Sequence, residues 1–227
     1  MIKIDKTNVY GFEAAVRGMR NPMNSWDRSD SIQCTGMFTG DCRRVIEKLD
    51  DPVGCTNGNY EFCIGKNDLS LMQGLAAAGT DHSKFLRMIN VTCDIEAPLY
   101  WWKEFDTYKV GTVRNSCSTM HKIHSKEFTL EDFSTEHLNK SSLMWFKGLL
   151  HELNNNRMKF IDTGDKQYWW NLIQLLPSSY NQLATVQLNY QVIANMYHSR
   201  KNHKLDEWHV FCRWAEKLPY FMEIMGI

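Results

Sequence analysis

Hydrophobic positions recur at helical spacing in several stretches of the chain and at a spacing of two in one, and these two periods place most of the elements. Residues 12–20 (FEAAVRGMR) read as a short helix that must stop before Pro22, because proline disfavours helical geometry in the residue ahead of it. Leu69, Met72, Leu75 and Ala76 share one face of a helix, with Asn67 and Asp68 as caps and Gly79 where a left-handed terminal residue is wanted. A second short helix is expected from Asp81, carrying His82, Phe85 and Leu86. Ile89, Val91, Cys93 and Ile95 then alternate with Asn90, Thr92 and Asp94, the pattern of a half-buried strand. Pro98 ends it and opens a helical segment through Trp101, Glu104 and Phe105. The following TYKVGTVRNSCSTMHKIH, small, polar and glycine-containing, reads as loop.

The second half is helical. Leu143, Phe146, Leu149, Leu150 and Leu153 lie on one helix, and Trp169, Leu172, Ile173 and Leu176 on the next, which ends at Pro177. Val186, Tyr190, Ile193 and Tyr197 predict a third helix over about 181–200, and a fourth follows over about 205–218. The fold class is α+β, mostly helical with a small sheet. From 24 to 59 the periodicity disappears into a turn-rich stretch with Gly36, Gly40, Gly54 and Gly58. No repeat, low-complexity tract or Pro/Gly/Ser linker divides the chain, so 1–227 reads as a single domain with an inserted loop region at about 24–59.

Composition narrows the function. At 227 residues and 43% hydrophobic the chain can bury a sizeable core, which excludes disorder as a description of the whole. Lys plus Arg and Asp plus Glu number 26 each, so no global field draws it to nucleic acid or an anionic membrane. MIKIDKTNVYGF has no apolar stretch of signal-peptide length and runs such as APLYWW are too short to span a bilayer, so the expectation is a cytoplasmic protein. Its seven cysteines then read as thiols in a reducing compartment. The aromatic clusters around Trp101 and Trp169 fit a core or a stacking platform for a planar ligand.

Candidate chemistry is sparse. Cys34, Cys42, Cys55 and Cys63 make two equally spaced pairs, but the gaps are too long for a zinc knuckle, and His121 and His124 have no evident third ligand; no metal is assigned. Glycine-rich phosphate loops and the G-x-S-x-G elbow are missing from the sequence, which removes the main support for nucleotide hydrolases, Rossmann enzymes and serine hydrolases. Asn189 and Arg200 stand eleven residues apart on one expected helix, three turns and about 16 Å, so both face one way and bracket an extended ligand.

The order of segments resembles the flavin-dependent thymidylate synthases. GTDHSKF at 79–85, the strand INVTCDI, Ala97-Pro98 and the loop YKVGTVRNSCST follow that family's G-x-x-H-x-x-F-like helix, strand, A-P turn and flavin motif Q-x-x-R-H-R-x-x-S-x-N-E-x-S-x-R-Y without a needed gap. Its late stretch recurs as Leu176-Pro177, Asn189 and Arg200, with Glu207 in a following turn. The resemblance implies the fold of the thymidylate synthase complementing proteins, a homotetramer with pockets shared across subunits, and methylation of dUMP with FAD, NADPH and methylenetetrahydrofolate. Divergent members of this kind are expected in bacteriophage genomes.

The departures are specific. The family's Gln falls on Glu104, its Arg-His-Arg on Thr107, Tyr108 and Lys109, its loop Ser on Cys117, its last motif Arg on Thr119, and the arginine ahead of L-P on Ile173. A one-residue shift at Arg114 and Asn115 restores the family's Asn. By resemblance Tyr108, Lys109 and Asn189 hold the flavin, while Glu104, Arg114, Asn115, Ser116 and Arg200 face a pyrimidine nucleotide; no catalytic residue is assigned. Hydroxyls do not replace bidentate guanidinium contacts. Two functions stay open: flavin-dependent one-carbon transfer, or a catalytically eroded phage protein of the same fold that sequesters a nucleotide-like ligand or inhibits a host defence protein.

Overall fold

The computed structural model describes residues 1–33 and 62–227. The strands are β1 (Lys3–Tyr10), β2 (Ile32–Gln33), β3 (Phe62–Cys63), β4 (Asn90–Pro98), β5 (Val113–Ser116) and β6 (Asn181–Asn189). The helices are α1 (Phe12–Arg20), α2 (Lys66–Ala77), α3 (Leu99–Phe105), α4 (Lys140–Thr163), α5 (Lys166–Leu175), α6 (Tyr190–Arg200), α7 (Asp206–Ala215) and α8 (Phe221–Met225). The described elements form a mixed α+β fold with a four-stranded sheet in the order β1-β4-β6-β5. Thr185 of β6 donates to Asp94 of β4 at 2.6 Å and Gln187 to Asn90 at 3.4 Å. Advancing along β6 therefore retreats along β4, so the two run antiparallel. β2 and β3 make a separate antiparallel pair, with Ile32 opposite Cys63 and Gln33 opposite Phe62.

The chain divides into two compact units, and residues of several strands fall to each. The first comprises Met1–Asp5, Asp94–Tyr108 and Arg114–Val186. Its core is Ile123, Phe128, Phe133, Leu153 and Leu172, over which Phe146, Leu149, Leu150, Ile173, Leu176 and Tyr180 close. α4 starts because the Asn139 side chain accepts the Ser142 N–H, and it ends at Gly164, whose φ of 69° suits glycine. α5 starts on Asp165, which accepts the Gln167 N–H. A polar contact crosses this helix pair: Asn171 Nδ2 donates to Oδ1 of the buried Asn156 at 2.8 Å. On α3, Trp101, Trp102 and Phe105 pack as a buried aromatic trio with centroids 5.1–5.2 Å apart.

The second unit comprises Lys6–Cys93, Lys109–Val113 and Gln187–Ile227. On α1, Phe12, Ala15, Val16 and Met19 are buried at the spacing of one helical face. Phe12 meets Tyr190 and Tyr220 edge to face, and Phe221 meets Tyr190 and Tyr197 in the same way. A buried ion pair sits beside this core, where Arg20 Nε lies 2.6 Å from Asp68 Oδ1 with both side chains almost wholly removed from solvent. Every remaining face of the pair is satisfied. Arg20 donates to the Ser25 and Arg28 carbonyls, while Asp68 Oδ2 accepts from the Ser29 and Ser31 hydroxyls and the Asp30 and Ser31 amides.

Several expectations are corrected. Residues 181–200 are not one helix: 181–189 is β6 and α6 begins at Tyr190. Gln182, Ala184, Val186 and Leu188 face inward and Leu183, Thr185 and Gln187 outward, so burial has period two where the hydrophobic pattern does not. Within the expected loop, Val113–Ser116 is the strand β5. Asn67 and Asp68 do not cap α2, because the helix has already begun at Lys66. The carboxylate of Asp30 accepts both their amides instead, at 2.9 and 3.1 Å. Around Asp81 the chain makes a 3-10 turn, Ser83–Arg87, and Gly79 takes the left-handed geometry expected of it, at φ 101°. β1 gave no alternation to read because it is an edge strand whose residues are nearly all exposed or half-buried. Cys34, Cys42 and Cys55, and most of the 24–59 region, lie outside the described residues.

The ion pair yields a stability prediction. Burial by itself would raise the Asp68 pKa, but hydrogen bonds from Ser31, Ser29 and Arg20 and the Arg20 charge outweigh it and hold the carboxyl below the usual range. A depressed folded pKa means this stabilisation is complete above the ordinary carboxylate value near 3.8 and is lost as pH falls further, through the folded value. Asp68→Ala strands a buried guanidinium and is expected to cost about 3–5 kcal/mol in urea unfolding at pH 7, a penalty that shrinks below pH 4.

Candidate functional site

In the first unit Arg114 of β5, one of the residues named from sequence, is held by three neighbouring side chains. Its Nη1 reaches Asp106 Oδ2 at 2.6 Å and its Nη2 the Gln182 Oε1 at 2.5 Å. The guanidinium carbon stands 4.0 Å above the Trp102 ring. Gln182 is itself held, since its Nε2 donates to the Cys117 carbonyl at 2.5 Å and its carbonyl accepts the Trp102 indole N–H at 3.0 Å. The guanidinium is thus stacked on one face and tied at both terminal nitrogens, and its buried Nε has no hydrogen-bond partner among the described residues. An anion arriving here meets a cation already paired with a carboxylate.

Of the other residues named in this unit, Glu104 and Tyr108 are half-buried, on α3 and just past its end. Asn115 and Ser116 follow Arg114 on β5 and are exposed. Asp106 and Gln182 were not singled out from the sequence, and Trp102 belonged there to the aromatic cluster read as core or stacking platform. Asp106 lies eight positions before Arg114 and offered a local signal; Gln182 offered none.

In the second unit Asn189 and Arg200 do not share one helix as the sequence led one to expect. Asn189 is 9% exposed and caps α6, its Oδ1 accepting the Val192 N–H at 3.0 Å. It does not lie on the helical face that carries Arg200, which corrects the reading of two side chains bracketing a ligand from one helix. Gly111 sits against that cap: at φ 80° a side-chain carbon there would stand 2.6 Å from Asn189 Nδ2. Lys109, two residues before, is exposed. Arg200 ends α6 with its guanidinium 4.9 Å over the Trp208 ring of α7.

No cluster of three or more His, Cys, Asp or Glu that could hold a metal occurs among the described residues. His121 Nδ1 is 3.2 Å from the Ser118 hydroxyl, and His124 packs edge-on against Phe160. No described helix is long and apolar enough to cross a membrane.

No family model matches the sequence, and no curated protein matches it. Solved structures do. The flavin-dependent thymidylate synthase ThyX from Helicobacter pylori, complexed with FAD and dUMP, superposes with a TM-score of 0.64 over 98% of this chain and 97% of its own at 15% identity. A second structure of the same enzyme with FAD and dUMP gives 0.65 over 99% and 97% at 14% identity. The fold is that of the flavin-dependent thymidylate synthases. At this identity the likeness is one of backbone architecture, so the thymidylate synthase fold fixes where segments run and leaves the side-chain chemistry to be read from this chain. Against the thymidylate synthase motif, the positions at 107–109 carry a hydroxyl, a phenol and one ammonium.

The Asn189 cap is separable from any ligand role. Asn189→Ala is expected to cost about 0.5–2 kcal/mol of stability, and Asn189→Ser to keep most of it, because a hydroxyl caps nearly as well. Thermal unfolding of the two variants side by side checks this.

Proposed function

We propose that this chain is a divergent flavin-dependent thymidylate synthase-like protein that binds a pyrimidine nucleotide and FAD. The observation that carries the reading is the end-to-end superposition on a flavin-dependent thymidylate synthase bound to FAD and dUMP. FAD would supply the redox chemistry of a one-carbon transfer. Lys109, Tyr108 and Asn189 would lie toward it, and Arg200, Arg114, Asn115, Ser116 and Glu104 toward the nucleotide. NADPH and methylenetetrahydrofolate belong to the reading only if turnover is retained. The donor set fits a nucleotide better than a tightly held flavin diphosphate: Asn189 Oδ1 is occupied by the helix cap, which leaves Lys109 as the charged group of the three.

The Arg114–Asp106 pair favours a second reading, in which the fold is kept without catalysis and the protein sequesters a nucleotide-like ligand or inhibits a host protein, as a phage factor acting in the cytoplasm would. A cation stacked on Trp102 and tied to Asp106 and Gln182 is structural where a transition-state contact would be needed.

Titration of the purified protein with FAD separates the two. Bound-flavin absorbance with dUMP-dependent oxidation of NADPH supports the enzyme; dUMP binding with no flavin retention supports the nucleotide-sequestering form of the second reading; neither ligand binding removes both of these and leaves the host-protein form. Arg200→Ala is expected to weaken dUMP binding by about 1.5–3 kcal/mol, the worth of a hydrogen bond to a charged group, in a chain that still folds.

A homotetramer is part of the same proposal. On the α4–α5 pair, Trp145 is 78% and Met144 67% exposed, with Met158, Ile161 and Trp170 about half exposed, an apolar surface suited to subunit contact. Light scattering is expected to return four times the 26.6 kDa chain mass, and a monomer would remove shared pockets from the proposal.

A further inference from the structure

The second unit carries a cleft of about 560 Å³ between the end of α6 and one face of α7, lined by Tyr197, Lys201, Asn202, His203, His209, Cys212, Arg213 and Glu216. We propose that this cleft is a binding site for a small phosphate-bearing molecule, gripped by Lys201 and Arg213. The proposal is independent of the flavin and nucleotide reading, since none of these residues belongs to the set assigned there.

The two helices set the donors out on facing walls. Tyr197 and Lys201 are one turn apart at the end of α6, and His209, Cys212, Arg213 and Glu216 fall at the three- and four-residue spacings that share a helix face. Lys201 and Arg213 are exposed and bring a point charge and a planar fork, the two cation geometries that suit phosphate oxygens. His203 lines the same cleft, its Nδ1 accepting the Leu205 N–H at 3.2 Å.

The acidic groups are accounted for. Glu216 accepts the Tyr197 hydroxyl at 2.9 Å, which spreads its charge into a hydrogen bond. Asp206 stands 3.6 Å from His209 Nδ1. Cys212 is buried, and burial, with the nearby Glu216 charge, pushes its thiol up to about 11, so at neutral pH it adds no anionic sulfur to the cleft. Apart from its imidazoles, the lining holds two cations against one hydrogen-bonded carboxylate. An anion is the ligand this arrangement prefers, and a phosphate monoester uses a fork and an ammonium together.

The test is calorimetric titration of the full chain with inorganic phosphate at neutral pH and low salt. Saturable binding is expected, weakened by roughly tenfold or more in Lys201→Gln/Arg213→Gln, the loss that follows removal of charge-assisted hydrogen bonds. Lys147→Gln, at an exposed lysine of α4 that does not line the cleft, should leave phosphate affinity unchanged. Equal affinity in the double variant, or a Lys147→Gln protein that loses phosphate binding as fully as the double variant does, would overturn the assignment. Should the double variant not fold, the imidazole resonances of His203 and His209 in the unmodified chain must shift together as phosphate is added; resonances that stay in place overturn it as well.

Discussion

The ion pair of Arg20 and Asp68 is the constraint on which the second unit is built. Two full charges removed from water are tolerated only when every lone pair and proton finds a partner, and six neighbouring groups from residues 25 to 31 supply them. One event thereby fixes the end of α1, the chain through Ser31, and the start of α2, whose first free amides Asp30 accepts. The sheet partner β2 begins at the next residue, Ile32, so its pairing with β3 inherits its starting point from this network.

The first unit is organised by shape instead of charge. Its core is aromatic and leucine-rich, and the amphipathic α4 and α5 meet through residues that were readable from spacing alone. Arg114 is the exception, a cation drawn into that unit by the Trp102 face and held there by Asp106 and Gln182. Its position next to exposed Asn115 and Ser116 gives the surface a polar strip whose one strong charge is already neutralised.

Helices α4, α5 and α7 and the strand β4 were legible because their apolar residues obey a single period, and α4 and α5 also have local side-chain caps. β6 was not. Its inward set contains Gln182 and Ala184 while its outward set contains Leu183, so the hydrophobic contrast between faces is erased, and Val186 and Tyr190 lie close enough to helical spacing to suggest one long helix. That error carried over to the site, because it put Asn189 on the face of a helix it caps. Arg114 was recognised as a candidate, yet what holds it comes from 68 positions away in the chain, and no local pattern records such a partner. The resemblance in segment order was legible because order survives at 15% identity, where individual side chains need not.

The amide pair of Asn156 and Asn171 has a consequence for how this chain can change over time. Leucines and phenylalanines along α4 and α5 would still fit tolerably if the helices slid by a turn, because apolar contact is indifferent to which methyl meets which. The two amides are not indifferent: a slide would leave buried Asn156 without its cross-helix partner. The contact therefore turns a continuous range of alignments into a single permitted one. The surrounding apolar positions can drift in identity without loosening the hairpin, which is one physical route by which an architecture outlasts nearly all of its sequence.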